Sequence, residues 1–92
     1  MDHAPSAARP LSPAPDVVAR RLGDGAVLVH LPTNQIFELN ETGARVWELI
    51  ARGQTLAAMT QTLVDEYDVD PADAEAKIKS VVDDLSAAGL VR

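Results

Sequence analysis

"NQIFELNETGARVWELI", residues 34–50, reads as a short strand that runs straight into a capped helix. In QIFEL, Phe37 and Leu39 fall on one face, and Ile36 and Glu38 on the other. One buried face would need only Phe37 and Leu39. Ile36 breaks the alternation and raises the question of what covers it. Asn40 is a good N-cap, and Glu41 and Thr42 suit a first helical turn. Gly43, Val46, Trp47 and Ile50 then recur at helical spacing, while Arg45, Glu48 and Arg52 point elsewhere. Gly53 marks a helix end.

Upstream, VVARRL (17–22) is β-prone. Gly23-Asp24-Gly25 is a turn signal, AVLVHL (26–31) a second strand, and Pro32-Thr33-Asn34 a second turn. Two tight connections predict an antiparallel meander in the order 1-2-3, which leaves the third strand at an edge. Downstream, Thr55 can cap a second helix whose stripe is Leu56, Met59, Leu63 and Tyr67, with Ala57, Thr60 and Val64 on its flanks. A third helix opens with Asp70 as cap and Pro71 as its first residue. Its stripe is Ala74, Ile78, Val81, Leu85 and Ala88. Gly89 ends it, and Leu90 and Val91 can fold back onto the core. The expected fold is α+β and winged-helix-turn-helix-like: an N-terminal three-stranded antiparallel meander followed by three α-helices. It occupies residues 17–92. Residues 1–16 hold four of the six prolines and read as a disordered Pro/Ala-rich tail.

Composition narrows function. The chain has 92 residues, enough for one small domain, and 47% of them are apolar, enough for a packed core. Its three aromatic residues make that core mainly aliphatic. With no cysteine, disulfides, thiolate metal sites and cysteine nucleophiles are excluded, which fits a cytoplasmic setting. No apolar run approaches the roughly 20 residues that span a bilayer, and no secretory signal is visible. His3 and His30 lack ligand-spaced neighbours, so no metal site or cofactor is expected. Serines and threonines form no Ser/His/Asp pattern, and Gly23-Asp24-Gly25 is too short for a phosphate loop. No catalytic residues emerge, and the chain reads as a non-enzyme.

Two binding readings remain. Residues 55–91 look like a helix-turn-helix, so a winged-helix DNA-binding or dimeric regulatory protein is one alternative. Against nucleic acid stand the net charge of −6 and a third helix whose two lysines face four acidic residues. The other reading is peptide binding. An edge strand beside a long helix suits β-augmentation, in which a guest peptide pairs with the strand backbone. The candidate residues are Gln35, Ile36, Phe37, Glu38 and Leu39 on the strand, with Ile78, Lys79 and Val82 on the third helix. Val82 lies about 80° from Ala74 on the helical wheel. It either widens the core stripe or forms a groove wall among Glu75, Lys79 and Ser86. Ile36 likewise either meets a guest or packs under the first strand or the tail.

An aromatic-containing strand leading into "LNETGARVWELI", followed later by "LSAAGLV", resembles the PqqD family. More widely, it resembles the leader-recognition domains of ribosomally made, post-translationally modified peptide pathways. The resemblance covers about residues 17–91. It implies a three-strand, three-helix, winged-helix-like domain without catalysis, which binds the leader of a precursor peptide as an extra strand on the third strand, against the third helix. The domain then presents the core peptide to a modifying enzyme such as a leader peptidase or a radical enzyme. Members dedicated to pyrroloquinoline quinone synthesis tend to carry a "YPEG"-like turn before the third strand. Here the turn is "LPTNQ", which is more similar to stand-alone proteins of lasso-peptide clusters and to unassigned PqqD-like proteins. A homodimer with exchanged or paired strands is a further arrangement the resemblance allows. No nucleic-acid or membrane partner is implied.

Overall fold

The computed structural model describes residues 11–91. Its elements follow in the order β1 (Val17–Leu22), β2 (Gly25–His30), β3 (Gln35–Leu39), α1 (Glu41–Ala51), α2 (Leu56–Tyr67) and α3 (Pro71–Ala87). The strands form one antiparallel sheet in the order β1-β2-β3, as the turn signals predict. The β1–β2 hairpin closes at the pair Leu22–Gly25. Gly23 has φ +60° while Asp24 stays at negative φ, the pattern of a type II′ turn, which matches the twist of the strands. Gly25 meets a separate demand. A Cβ there would run into the Leu39 carbonyl, so only glycine lets β2 pass the end of β3.

The strand-to-helix transition follows its sequence signals closely. The Asn40 side chain accepts the Gly43 N–H at 2.8 Å, and that of Thr55 accepts the Ala58 N–H at 3.2 Å. Asp70 precedes Pro71 but makes no side-chain cap bond. α1 and α3 both end in Schellman motifs. Gln54 N–H donates to Leu49 C=O at 3.1 Å, and Leu90 N–H to Leu85 C=O at 2.9 Å.

The core sits between the inner face of the sheet and the helices. Leu28, Val46, Leu49, Ile50 and Ile78 are fully buried, and Trp47 nearly so. α1 is the central element, packing on β2, on β3 and on α3. Its buried face is wider than the expected stripe, because Ala44 and Leu49 are buried too. Leu90 and Val91 do fold back onto the core.

One expectation needs correcting. Residues 11–16 do not belong to a loose tail. Leu11 packs against the core, Pro13 bridges to Val91, and Ala14 N–H donates to Leu90 C=O at 2.9 Å. This backbone pairing with the returning C-terminal segment fixes a stretch whose composition alone reads as unstructured. The remainder of the expected tail, residues 1–10, lies outside the described residues. Among the described residues, no helix is long and apolar enough to cross a membrane.

Candidate functional site: the β3 edge and the flank of α3

β3 pairs with β2 through Leu28–Phe37 and Val29–Ile36. Phe37 and Leu39 therefore face the helices with Leu28, and both are half-buried against the core. Ile36 and Glu38 face the opposite side. Ile36 is 66% exposed, so nothing among the described residues covers it. It does not pack under β1. Instead Val18, Val29 and Ile36 form a cross-strand row on the outer face, and Val18 is itself 45% exposed.

The direction of the backbone groups follows from one bond. Leu31 N–H donates to Asp16 C=O at 3.0 Å, one step beyond the pair Val17–His30. Along a strand, successive residues direct their N–H and C=O to opposite sides. Val29, like Leu31, therefore faces β1, while His30 and Leu28 face β3. The β3 residues bonded to β2 are Gln35, Phe37 and Leu39. Ile36 and Glu38 aim their N–H and C=O away from β2, at an edge that no other strand among the described residues pairs with.

The α3 candidates separate by depth. Ile78 is fully buried and belongs to the core. Val82 is half-buried and packs against that core, with the rest of its side chain on the surface, as does Val81. Lys79 is exposed and pairs with Glu75 at 3.6 Å. One turn apart on the helix, Lys79 and Val82 are neighbours, so the flank offers an apolar spot beside a cation. Sequence reasoning missed the Val18–Val29–Ile36 row. Its signal was present as apolar residues at non-core positions of all three strands.

On the far side of α1, charged groups link three elements. Arg45 grips Glu66 with two hydrogen bonds, at 2.9 and 2.5 Å, and reaches Glu48 at 3.1 Å. Arg21 of β1 pairs with the same Glu48. The Arg45 hydrogen bonds hold the Glu66 carboxyl below its ordinary pKa, and in return the Arg45 guanidinium is held more firmly protonated. Burial pushes the Tyr67 hydroxyl up. His30 lies half-buried at the end of β2, its Nδ1 2.9 Å from Thr33 Oγ1, which is a turn-fixing contact. Among the described residues, no three His, Cys, Asp or Glu side chains converge on a metal site.

The model of the family described as coenzyme PQQ synthesis protein D (PqqD) matches residues 25–91. Among solved structures, TbiB1 in complex with the TbiA(beta) leader peptide is 27% identical, with a TM-score of 0.83 over 88% of this chain and 94% of that one. A lasso peptide synthetase B1 complexed with the leader peptide is 26% identical, also with a TM-score of 0.83, over 90% of this chain and 98% of that one. A search of curated protein sequences found no match.

Proposed function

Because this chain belongs to the PqqD family, we propose that it is a non-catalytic peptide-binding chaperone that captures the leader of a ribosomally made precursor peptide. The leader adds as a fourth strand on β3, pairing with the outward N–H and C=O of Ile36 and Glu38. Its side chains on the inner face lie against Phe37, Leu39 and the Val82 flank of α3, with Ile78 packed beneath. On the outer face it extends the Val18–Val29–Ile36 row, which gives Ile36 its cover. The observation that carries this reading is a β3 edge unpaired among the described residues, beside half-buried apolar side chains, in a fold shared with two leader-bound proteins.

Main-chain pairing holds a guest with little regard to its sequence, and the flanking pockets select it. The chain supplies that selection and leaves the chemistry to a partner enzyme, such as a leader peptidase, in a cytoplasmic setting that suits its lack of cysteine. The "LPTNQ" turn directs the reading toward lasso-peptide precursors. No observation favours the DNA-binding alternative. α3 exposes Asp73, Asp83 and Asp84 along with its lysines.

The test is calorimetric titration with the TbiA(beta) leader peptide and with the leader of any short precursor reading frame adjoining the gene. Saturable one-to-one binding by at least one of them, lost in Ile36→Pro while the circular dichroism spectrum is kept, is the expected result. Binding that survives Ile36→Pro unchanged overturns the β3 site.

A further inference from the structure

Among the described residues the sheet has a second edge without a strand partner, and its surroundings are chemically unlike the first. We propose that β1 is a second docking strand, and that its occupant is an extended acidic segment of a partner protein. This inference does not rest on leader binding at β3.

The same ladder alternation that turns Ile36 and Glu38 outward turns Ala19 and Arg21 of β1 outward, while the N–H of Val17 on that side is taken by the Ala14 carbonyl at 3.3 Å. Among the described residues, β1 pairs only with β2, so these N–H and C=O groups have no strand partner. Beside them lies a groove of about 330 Å³ between β1 and α1. Its wall on α1 is Ala44, Trp47, Glu48 and Ala51, one helical stripe, and Ala19 and Ala26 line the sheet side. Four alanines leave space for the side chains of an added strand, and the nearly buried Trp47 supplies an apolar floor.

Arg21 and Arg52 border this space against Glu48 alone, and Arg20 of the same edge turns its side chain to the opposite face of the sheet. Both faces together, three cations and one carboxylate give this edge a net charge of +2, in a chain whose total is −6. Glu48 is already engaged by Arg21 and Arg45. Glu66 of α2 lies within the field of Arg52 but is bonded by Arg45. Among the described residues, no carboxylate lies within ion-pairing distance of Arg20 or Arg52. Adjacent residues of a strand point to opposite faces, so Arg20 and Arg21 flank the edge from both sides of the sheet. An incoming strand with acidic side chains meets positive charge on either face.

The same features select protein over nucleic acid. Two net charges are too few for the phosphate neutralisation on which nucleic-acid affinity rests, and an amide edge over an alanine-lined trough matches another backbone. β1 and β3 lie on opposite margins of the sheet, so both grooves can be filled at once. That geometry lets the domain hold a peptide on one margin and a protein on the other.

The experiment is an NMR titration of the ¹⁵N-labelled full chain with an end-blocked octapeptide of alternating Glu and Ala. The controls are the Lys–Ala counterpart and a short DNA duplex. The Glu–Ala peptide is expected to shift the amides of Ala19, Arg21, Ala44 and Ala51, with an effect that fades as salt rises. The Lys–Ala peptide should leave them in place. The Arg20→Glu, Arg52→Glu double variant should weaken Glu–Ala binding roughly tenfold. Ala19→Pro should weaken it too, in a chain that still folds, because that N–H faces away from β2. Arginines on an edge also deter random pairing. An edge serving only that end binds neither peptide up to millimolar concentration, and that result overturns the proposal. Equal shifts with both peptides, shifts confined to β3, or tighter binding of the duplex overturn it as well.

Discussion

At β3 the outward backbone of Ile36 and Glu38 lies beside apolar surface: Phe37 and Leu39 inside, Val29 and Val18 outside. At β1 the outward backbone of Ala19 and Arg21 lies beside alanines and three arginines. The backbone offer is the same at both edges, a short run of N–H and C=O groups. What differs is the flanking chemistry, and with it the guest each edge admits. If both proposals hold, one three-stranded sheet discriminates between two partners with no change of fold. Both edges depend on α1, which packs on β2 and β3 on one side and lines the basic groove on the other.

The largest expected effect therefore comes from that shared support. Trp47 is 7% exposed, packs in the core and forms the floor of the β1 groove. Truncating a large buried aromatic costs about 3–5 kcal/mol, a large part of what holds a small domain together. Trp47→Ala is expected to leave the chain mostly unfolded, with binding lost at both edges together. A urea midpoint near that of the parent chain would show that α1 is not the common support.

Next come two prolines one residue apart. Phe37→Pro removes an N–H that faces β2, leaves the carbonyl of buried Leu28 without its donor and takes an aromatic ring from the core. The unpaired group alone costs about 1–3 kcal/mol. Ile36→Pro removes an N–H that faces the free edge, where proline is tolerated. The first should lower the thermal midpoint clearly. The second should lower it little while abolishing leader binding. If the two stability losses are equal, the ladder alternation is wrongly assigned, and the β1 assignment falls with it.

Much of this was legible in the sequence, for identifiable reasons. Asn40, Thr55, Pro71 and the glycines at 53 and 89 are local signals, and local signals placed the helices to within a residue or two. Alternation in QIFEL placed Phe37 and Leu39 inward and left Ile36 as the anomaly. Three things were not legible. Residues 11–16 are ordered by pairing with Leu90 and Val91, a contact across almost the whole chain that composition does not encode. The basic groove was hidden because Arg20 and Arg21 stand far in sequence from Arg52 and the α1 alanines. Which backbone groups of β3 face outward also needed a hydrogen bond, since side-chain patterns leave it open. Ile78 was legible as a stripe residue, and its complete burial makes it support for the site rather than contact surface.

A smaller effect is expected from the helix flank that separates the two edges chemically. Val82→Asp places a charge on the apolar spot of α3 that is proposed to meet the leader, and should weaken leader binding without touching the acidic probe at β1. Lys79→Glu should weaken an acidic leader in low salt, with the difference closing as ionic strength rises past a Debye length of about 8 Å. If Val82→Asp binds leader like the parent chain, the guest lies along β3 without reaching α3. The apolar character of that edge then rests on the strand alone.

The smallest effect belongs to the ion-pair cluster on the β1 side. Arg45 holds the Glu66 carboxyl below its ordinary pKa, chiefly through the two hydrogen bonds between them. A carboxylate whose pKa is lower folded than unfolded stabilises the fold above the unfolded value, about 4.3, and loses that contribution as pH falls through the folded value. Glu66 is well exposed to solvent, its side chain at 39%, so screening limits the contribution to under about 1 kcal/mol. Glu66→Gln should therefore lower stability slightly at neutral pH and converge with the parent chain in acid, as followed by urea denaturation at a series of pH values. Leader binding at β3 should not change, because no member of the cluster lies on that edge. At β1 the outcome differs. Released from Glu66, Arg45 turns more fully to Glu48, the carboxylate that also holds Arg21, and Arg21 becomes freer to meet an acidic guest. The Glu–Ala peptide should bind Glu66→Gln somewhat more tightly than the parent. Weaker binding there, or any change at β3, would mean that the two edges are coupled through α1 rather than independent.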